Sequence, residues 1–137
     1  MNLAFDCKLV TEDGEEYYGQ GFGAAGEKVA ELVFNTAMAG YQEIVSDPSY
    51  ADQALVMTYP LIGNYGLAAE DYESRRPFLS GLIVRDYNDL PSNFRQTSTL
   101  SEILEEYGIP GLTGVDTRRL THSIREKGSR RGVITAA

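Results

Sequence analysis

The sequence predicts an α/β domain in which a hairpin-rich β half is followed by a β-α-β-α-β run. Three observations carry this reading. Apolar residues alternate on either side of Asp13-Gly14, short β-branched runs fill the middle of the chain, and two capped helical stripes lie between residues 99 and 128. With 137 residues, 42% hydrophobic and 23% charged, the chain suits one globular core and not two independent ones. No Pro/Ser-rich linker divides it, so residues 1–137 are read as one domain.

Each element has its own signal. In residues 3–11, Leu3, Phe5, Cys7 and Leu9 share one face, and Asp6 and Lys8 the other, as in a half-buried strand. Asp13-Gly14 is the dipeptide of a two-residue type I′ turn, with a returning strand from Glu16 to Phe22. Residues 29–38 have the composition of a buried strand. Tyr41 to Val45 reads as a helical turn closed by Asp47-Pro48. Strands are expected at Gln53 to Tyr59 and at Leu82 to Arg85, the latter buried on both faces. Thr99 and Glu102 have capping-box spacing, followed by the stripe Leu100, Ile103, Leu104, Tyr107 and a stop at Gly108. Asp116 is a good N-cap, with Val115 and Leu120 at staple spacing; Ile124 continues that face to Lys127-Gly128. Gly111 to Val115 and Gly132 to Thr135 complete the strands, with parallel crossovers expected through both helices.

Charge excludes some roles. Residues 1–110 hold 18 acids and 6 bases, and residues 111–137 hold 2 acids and 6 bases. The acidic bulk repels phosphate backbones, so nucleic acid is not an expected partner. The basic end reads as a solvated helix or as a contact patch for an acidic partner. One cysteine permits no intrachain disulfide, which suits a reducing cytosol. No basic n-region with an apolar run opens the chain, and no apolar stretch approaches the ~18 residues that would span a bilayer. A cytoplasmic location and no membrane partner are therefore expected.

The candidate chemistry is thin. Gly21, Gly23 and Gly26 match G-x-G-x-x-G, but strand-forming residues follow where a dinucleotide site needs a helix, and Glu27 occupies the P-loop lysine position. Cys7 lies on the apolar face of a strand, far from the cationic setting that makes a thiolate. His122, the single histidine, sits mid-helix with no identifiable nucleophile or orienting carboxylate. One His and one Cys build no ordinary zinc site. Glu15-Glu16 and Glu105-Glu106 are sequence neighbours whose side chains point apart, so they read as solubilising charges. The crowded polar centre, from Asn35 through Tyr50 and on to Asn64 and Arg95, fits either loop-stabilising side chains or an interface.

Those central residues carry a resemblance. Phe34 to Ile44 (Phe-Asn-Thr-Ala-Met-Ala-Gly-Tyr-Gln-Glu-Ile) with Asp47-Pro48-Ser49-Tyr50 is similar to the signature of the carbamoyl-phosphate synthase small-subunit family. Thr58-Tyr59-Pro60, Ile62 to Gly66, Gly81 to Arg85, Pro91 to Arg95, Gly114 to Thr121, Arg125 to Gly128 and Gly132 to Ile134 extend it in order. Ala30, Ala37, Ala39 and Leu61 depart from the family's usual Gly, Ser, Thr and His, which touches local hydrogen bonds only.

The resemblance implies the N-terminal domain of the small subunit, with a swivelling β/β/α layered fold. It implies packing against the large subunit and against a class I glutamine amidotransferase domain of the same subunit. It also implies ammonia delivery for carbamoyl phosphate synthesis in arginine and pyrimidine biosynthesis. One functional residue carries over: Ser49 is expected to contact glutamine from across the domain boundary, although a local-turn role for it stays open. The catalytic Cys and His belong to the amidotransferase domain, which is absent from these residues, so the isolated chain is expected to be inactive and part of a longer protein. No cofactor is expected here; ATP and Mg would sit on the large subunit. An autonomous, non-catalytic scaffold module of the same fold is the alternative.

Overall fold

The structure is a computed structural model that describes residues 6–35, 48–58, 67–68, 78–85, 97–98 and 100–136. Its strands are β1 (Cys7–Thr11), β2 (Glu16–Gly23), β3 (Val29–Asn35), β4 (Gln53–Met57), β5 (Leu67–Ala68), β6 (Gly81–Val84), β7 (Thr97–Ser98), β8 (Pro110–Thr113) and β9 (Arg131–Ala136). Helix α1 is Leu100–Glu106, helix α2 is Thr117–Lys127, and a single 3-10 turn spans Pro48–Tyr50. Among the described residues, strands in the order β1-β2-β8-β6-β4-β3-β9 close into a barrel, and β5 and β7 form a separate two-stranded sheet. The α/β class therefore holds.

The β1–β2 hairpin forms, but with a different turn. Val10 pairs with Glu16, and the Thr11 amide donates to the Glu15 carbonyl at 2.9 Å, leaving a three-residue loop. Within it the Gly14 amide donates to the Thr11 carbonyl at 2.9 Å, and Gly14 has φ +91° while Asp13 keeps a negative φ. A type I′ turn needs φ > 0 at both central residues, so glycine here closes a three-residue loop instead. The Thr11 hydroxyl, which hydrogen-bonds the Asp13 carboxylate and accepts from the Glu15 amide at 3.0 Å, selects that longer loop.

Strand pairing departs from expectation in two places. β3, β4, β6 and β8 pair in parallel, with Leu32 opposite Ala54, Val56 opposite Ile83 and Leu82 opposite Gly111. The β6-α1-β8 unit is thus the expected crossover. The N-terminal half, in contrast, holds one described hairpin and not several, because β2 pairs with β8 and β3 with β4. The last strand is the second departure: β9 runs antiparallel between β1 and β3, with Val133 facing both Val10 and Val29. An alternating strand can be satisfied by either edge, so its neighbours were set by closure of the barrel and not by its own residues.

Burial follows the pairing. β4 and β6 are buried on both faces, as continuous apolar runs in parallel sheets should be. β3, expected to be buried throughout, alternates: Ala30 and Leu32 are buried, and Val29 is 68% exposed. One apolar cluster includes Leu9, Leu32, Val56, Ile83, Leu112 and Leu120; a second includes Leu55, Leu79, Leu82, Leu104 and Ile109. The two faces of β4 feed the two clusters, with Val56 in the first and Leu55 in the second.

The helices obey their local signals. At the end of α1, the Gly108 amide donates to the Glu105 carbonyl at 3.2 Å and the Ile109 amide to the Leu104 carbonyl at 2.8 Å. This is the paired bonding of a Schellman stop, with Ile109 and Leu104 in the same apolar cluster. Thr99 lies outside the described residues. For α2, the Asp116 carboxylate accepts from the Arg119 amide at 3.1 Å, and Val115 and Leu120 are both buried. Asp116→Ala is expected to cost about 1 kcal/mol, read as a lower urea midpoint at unchanged slope.

Candidate functional site

Ser49 occupies the middle of the exposed Pro48–Tyr50 turn, where the Ala51 amide donates to the Pro48 carbonyl at 3.1 Å. The turn is held by its neighbour. Tyr50 packs on the second apolar cluster, and its hydroxyl accepts from Asn35 Nδ2 at 2.8 Å. The Asn35 carbonyl in turn accepts from the Thr58 hydroxyl at 3.3 Å, which ties the ends of β3 and β4 to the turn. Asp52 leaves the turn with φ +65°, the one non-glycine positive φ among the described residues. A left-handed residue costs roughly 1 kcal/mol, least for Asp and Asn, and the Tyr50 contacts two residues earlier hold the turn. Asp47, Tyr41 to Val45, Asn64 and Pro91 to Arg95 lie outside the described residues.

The other candidates separate from one another. Gly21 and Gly23 lie within β2, and β3 follows the Gly26 turn, so no helix N-terminus meets the glycine motif. Close packing explains the glycines: a Cβ on Gly21 would stand 2.5 Å from Cys7 Sγ, and one on Gly23 2.7 Å from the Ile109 carbonyl. Cys7 is half-buried, and burial followed by the adjacent Asp6 charge pushes its thiol pKa up, away from thiolate chemistry. His122 is exposed on α2, with Nε2 3.5 Å from Glu126 Oε1. That carboxylate one turn on was not anticipated. Cys7 and His122 line different depressions, Cys7 beside β2 and the end of β9, and His122 along α2.

Two groupings escaped the sequence reading. Glu15 is a hub and not a solubilising charge. Its carboxylate accepts from Lys127 Nζ at 2.6 Å, Arg130 at 3.0 Å, Ser123 Oγ at 2.8 Å and Tyr17 Oη at 2.7 Å. The Lys127 hydrogen bond, then those from Tyr17 and Ser123, hold the Glu15 carboxyl down at about 2. Glu16 does point the other way, toward Lys8 and Tyr18. The second grouping is a cationic basin of about 340 Å³ along α2, which includes Arg85, Arg118, Thr121, His122 and Arg125. The basic surplus of residues 111–137 hinted at it, but Arg85 enters only through the fold. No group of three or more potential metal ligands occurs among the described residues, and no described helix is long and apolar enough to cross a membrane.

A mixed seven-stranded barrel, with an anchored polar turn over one face of its parallel strands and cations along one helix, defines an α/β barrel domain. Residues 9–134 match the family described as the carbamoyl-phosphate synthase small chain, CPSase domain, and the chain belongs to that family. It is 50% identical over 132 residues to the carbamoyl phosphate synthase small chain of Fusobacterium nucleatum subsp. nucleatum, covering 96% of this chain and 37% of the relative. It is 53% identical over 127 residues to that of Bacillus caldolyticus, covering 93% and 35%. The pyrimidine-specific small chain of Bacillus subtilis is 49% identical over 130 residues, covering 95% and 36%. The chain thus spans little more than a third of the length of these relatives.

Proposed function

We propose that residues 1–137 are the N-terminal domain of a carbamoyl-phosphate synthase small subunit. On this reading the domain packs against the large subunit and against a class I amidotransferase domain of its own subunit. It helps form the glutamine site and so supports ammonia delivery for carbamoyl phosphate synthesis. The barrel, with α1 over one flank, then serves as the swivelling β/β/α layered body of the subunit. ATP and Mg act on the large subunit, and the isolated chain does not hydrolyse glutamine. The family match over residues 9–134 carries the proposal.

Ser49 is the residue assigned to glutamine. A hydroxyl both donates and accepts, which suits an amide or carboxylate ligand. The anchoring of Tyr50 on Asn35 supports that role, because it holds in place the turn on which Ser49 sits at the surface. In the full-length subunit, Ser49→Ala is expected to raise the KM for glutamine by about tenfold, the worth of one hydrogen bond to a ligand. Ammonia-dependent synthesis should be unchanged. An equal fall in both activities would refute the assignment.

A further inference from the structure

We propose that the basin along α2 binds the phosphoryl group of a small phosphorylated molecule through Arg85, Arg118 and Arg125, with His122 at its edge. The site is independent of the glutamine reading and shares no lining residue with the Pro48–Tyr50 turn.

Three observations converge on it. The first is unbalanced charge. No carboxylate is among the described lining residues; Glu126 lies 3.5 Å from His122 Nε2, and Asp116 caps the adjoining end of α2 through the Arg119 amide. Neither Arg85 nor Arg118 has an ion-pair partner among the described residues. The Arg125 guanidinium lies 5.2 Å from the Phe34 ring centre, which orients it without neutralising it. Neighbouring cations are treated differently. Lys127 and Arg130 pair with Asp13 and Glu15, and Arg119 stacks on Tyr17 at 4.1 Å and donates to the Glu16 carbonyl. In a chain of net charge −8, guanidiniums with no carboxylate partner among the described residues point to an external anion.

The second observation is Thr121. It is 6% exposed, lines the basin, and its hydroxyl has no hydrogen-bond partner among the described residues. A mid-helix threonine ordinarily returns its hydroxyl to a carbonyl of the preceding turn, and a buried hydroxyl left without a partner is costly. The third is the helix itself. Thr117 and Arg118, in the first turn of the eleven-residue α2, stand at the basin, where the positive end of the helix dipole, partly offset by the Asp116 cap, adds to the side chains.

The anion class follows from the donors. Guanidinium forks bind phosphate oxygens in pairs, and three of them exceed what a single carboxylate can accept. The volume admits more than one phosphoryl group, which leaves room for a small organic body.

The test is calorimetric titration of the full-length protein with inorganic phosphate, pyrophosphate and citrate in separate experiments at low ionic strength. Saturable phosphate or pyrophosphate binding, tighter than that of citrate, is expected. Pyrophosphate the tighter of the two would identify a phosphorylated molecule as the source, and parity would identify free phosphate. Arg118→Ala with Arg125→Ala should weaken binding about tenfold or more, as loss of charge-assisted bonds requires. Thr121→Val should weaken it severalfold, and Arg131→Ala, outside the basin, should not change it. If the double alanine variant fails to fold, Arg118→Lys and Arg125→Lys keep the charge and lose the fork, and each should still weaken binding. Non-saturating heats, citrate binding tightest, or an equal loss in Arg131→Ala would overturn the proposal.

Discussion

Arg130→Met is expected to destabilise the fold by about 2 kcal/mol, the range for losing charge-assisted hydrogen bonds at a part-buried site. Arg130 is 8% exposed, and its guanidinium reaches Glu15, the Ser123 hydroxyl at 2.8 Å and the Ser123 carbonyl at 3.3 Å. Its Nε lies 3.1 Å from Asp13 Oδ1 but outside hydrogen-bonding alignment, so that contact is electrostatic. The substitution keeps the bulk and strands the Glu15 carboxylate against α2, where Lys127 alone still neutralises it. Urea denaturation should show a lower midpoint with an unchanged slope.

The same hub sets the acid limb of stability. The folded Glu15 carboxyl titrates at about 2, below its ordinary value of 4.5. The unfolded chain therefore binds its proton first, and stability falls as pH drops from 4.5 toward 2. Asp13, held down first by the Thr11 hydroxyl, acts in the same direction. In Glu15→Gln the profile across that window should flatten. A slope as steep as that of the parent would show that other carboxylates govern acid unfolding.

The second large effect is expected at Leu120. Leu120→Ala should cost about 3–4 kcal/mol, through lost transfer energy and the cavity left behind. Leu120 is fully buried, belongs to the cluster with Leu9, Leu32 and Val56, and is the position through which the first turn of α2 engages the barrel. Leu120→Met keeps the volume and should cost less than about 1.5 kcal/mol. If the two variants lose equal stability in denaturant titration, the site is governed by something other than packing.

Local chemistry was legible and long-range pairing was not. Asp116, Gly108 and the stripe through Ile103 and Leu104 announced both helices, because a cap and its partner lie within a few residues of one another. β4 and β6 were both readable as strands, and β6 as one buried on both faces; the equal burial of β4 was not read. The insertion of β9 between β1 and β3 was not, since Gly132 and Ile134 present the same alternation to any neighbour. Glu15 looked like one of two surface acids because its partners Ser123 and Arg130 are more than 100 residues away in sequence. Arg85 entered the basin for the same reason. Ser49 was reached by resemblance to a family motif; nothing in its periodicity or local spacing distinguishes it from any turn serine.

Closure of the barrel by β9 has a consequence for how the chain is made. Until residues 131–136 leave the ribosome, both β1 and β3 present an unpaired row of amides and carbonyls. The contacts that seal them join the first and last described strands, the slowest kind to form. During synthesis the nascent polypeptide is therefore most open to sticking edge-to-edge just before β9 emerges, and only with β9 in place is every barrel strand partnered on both sides.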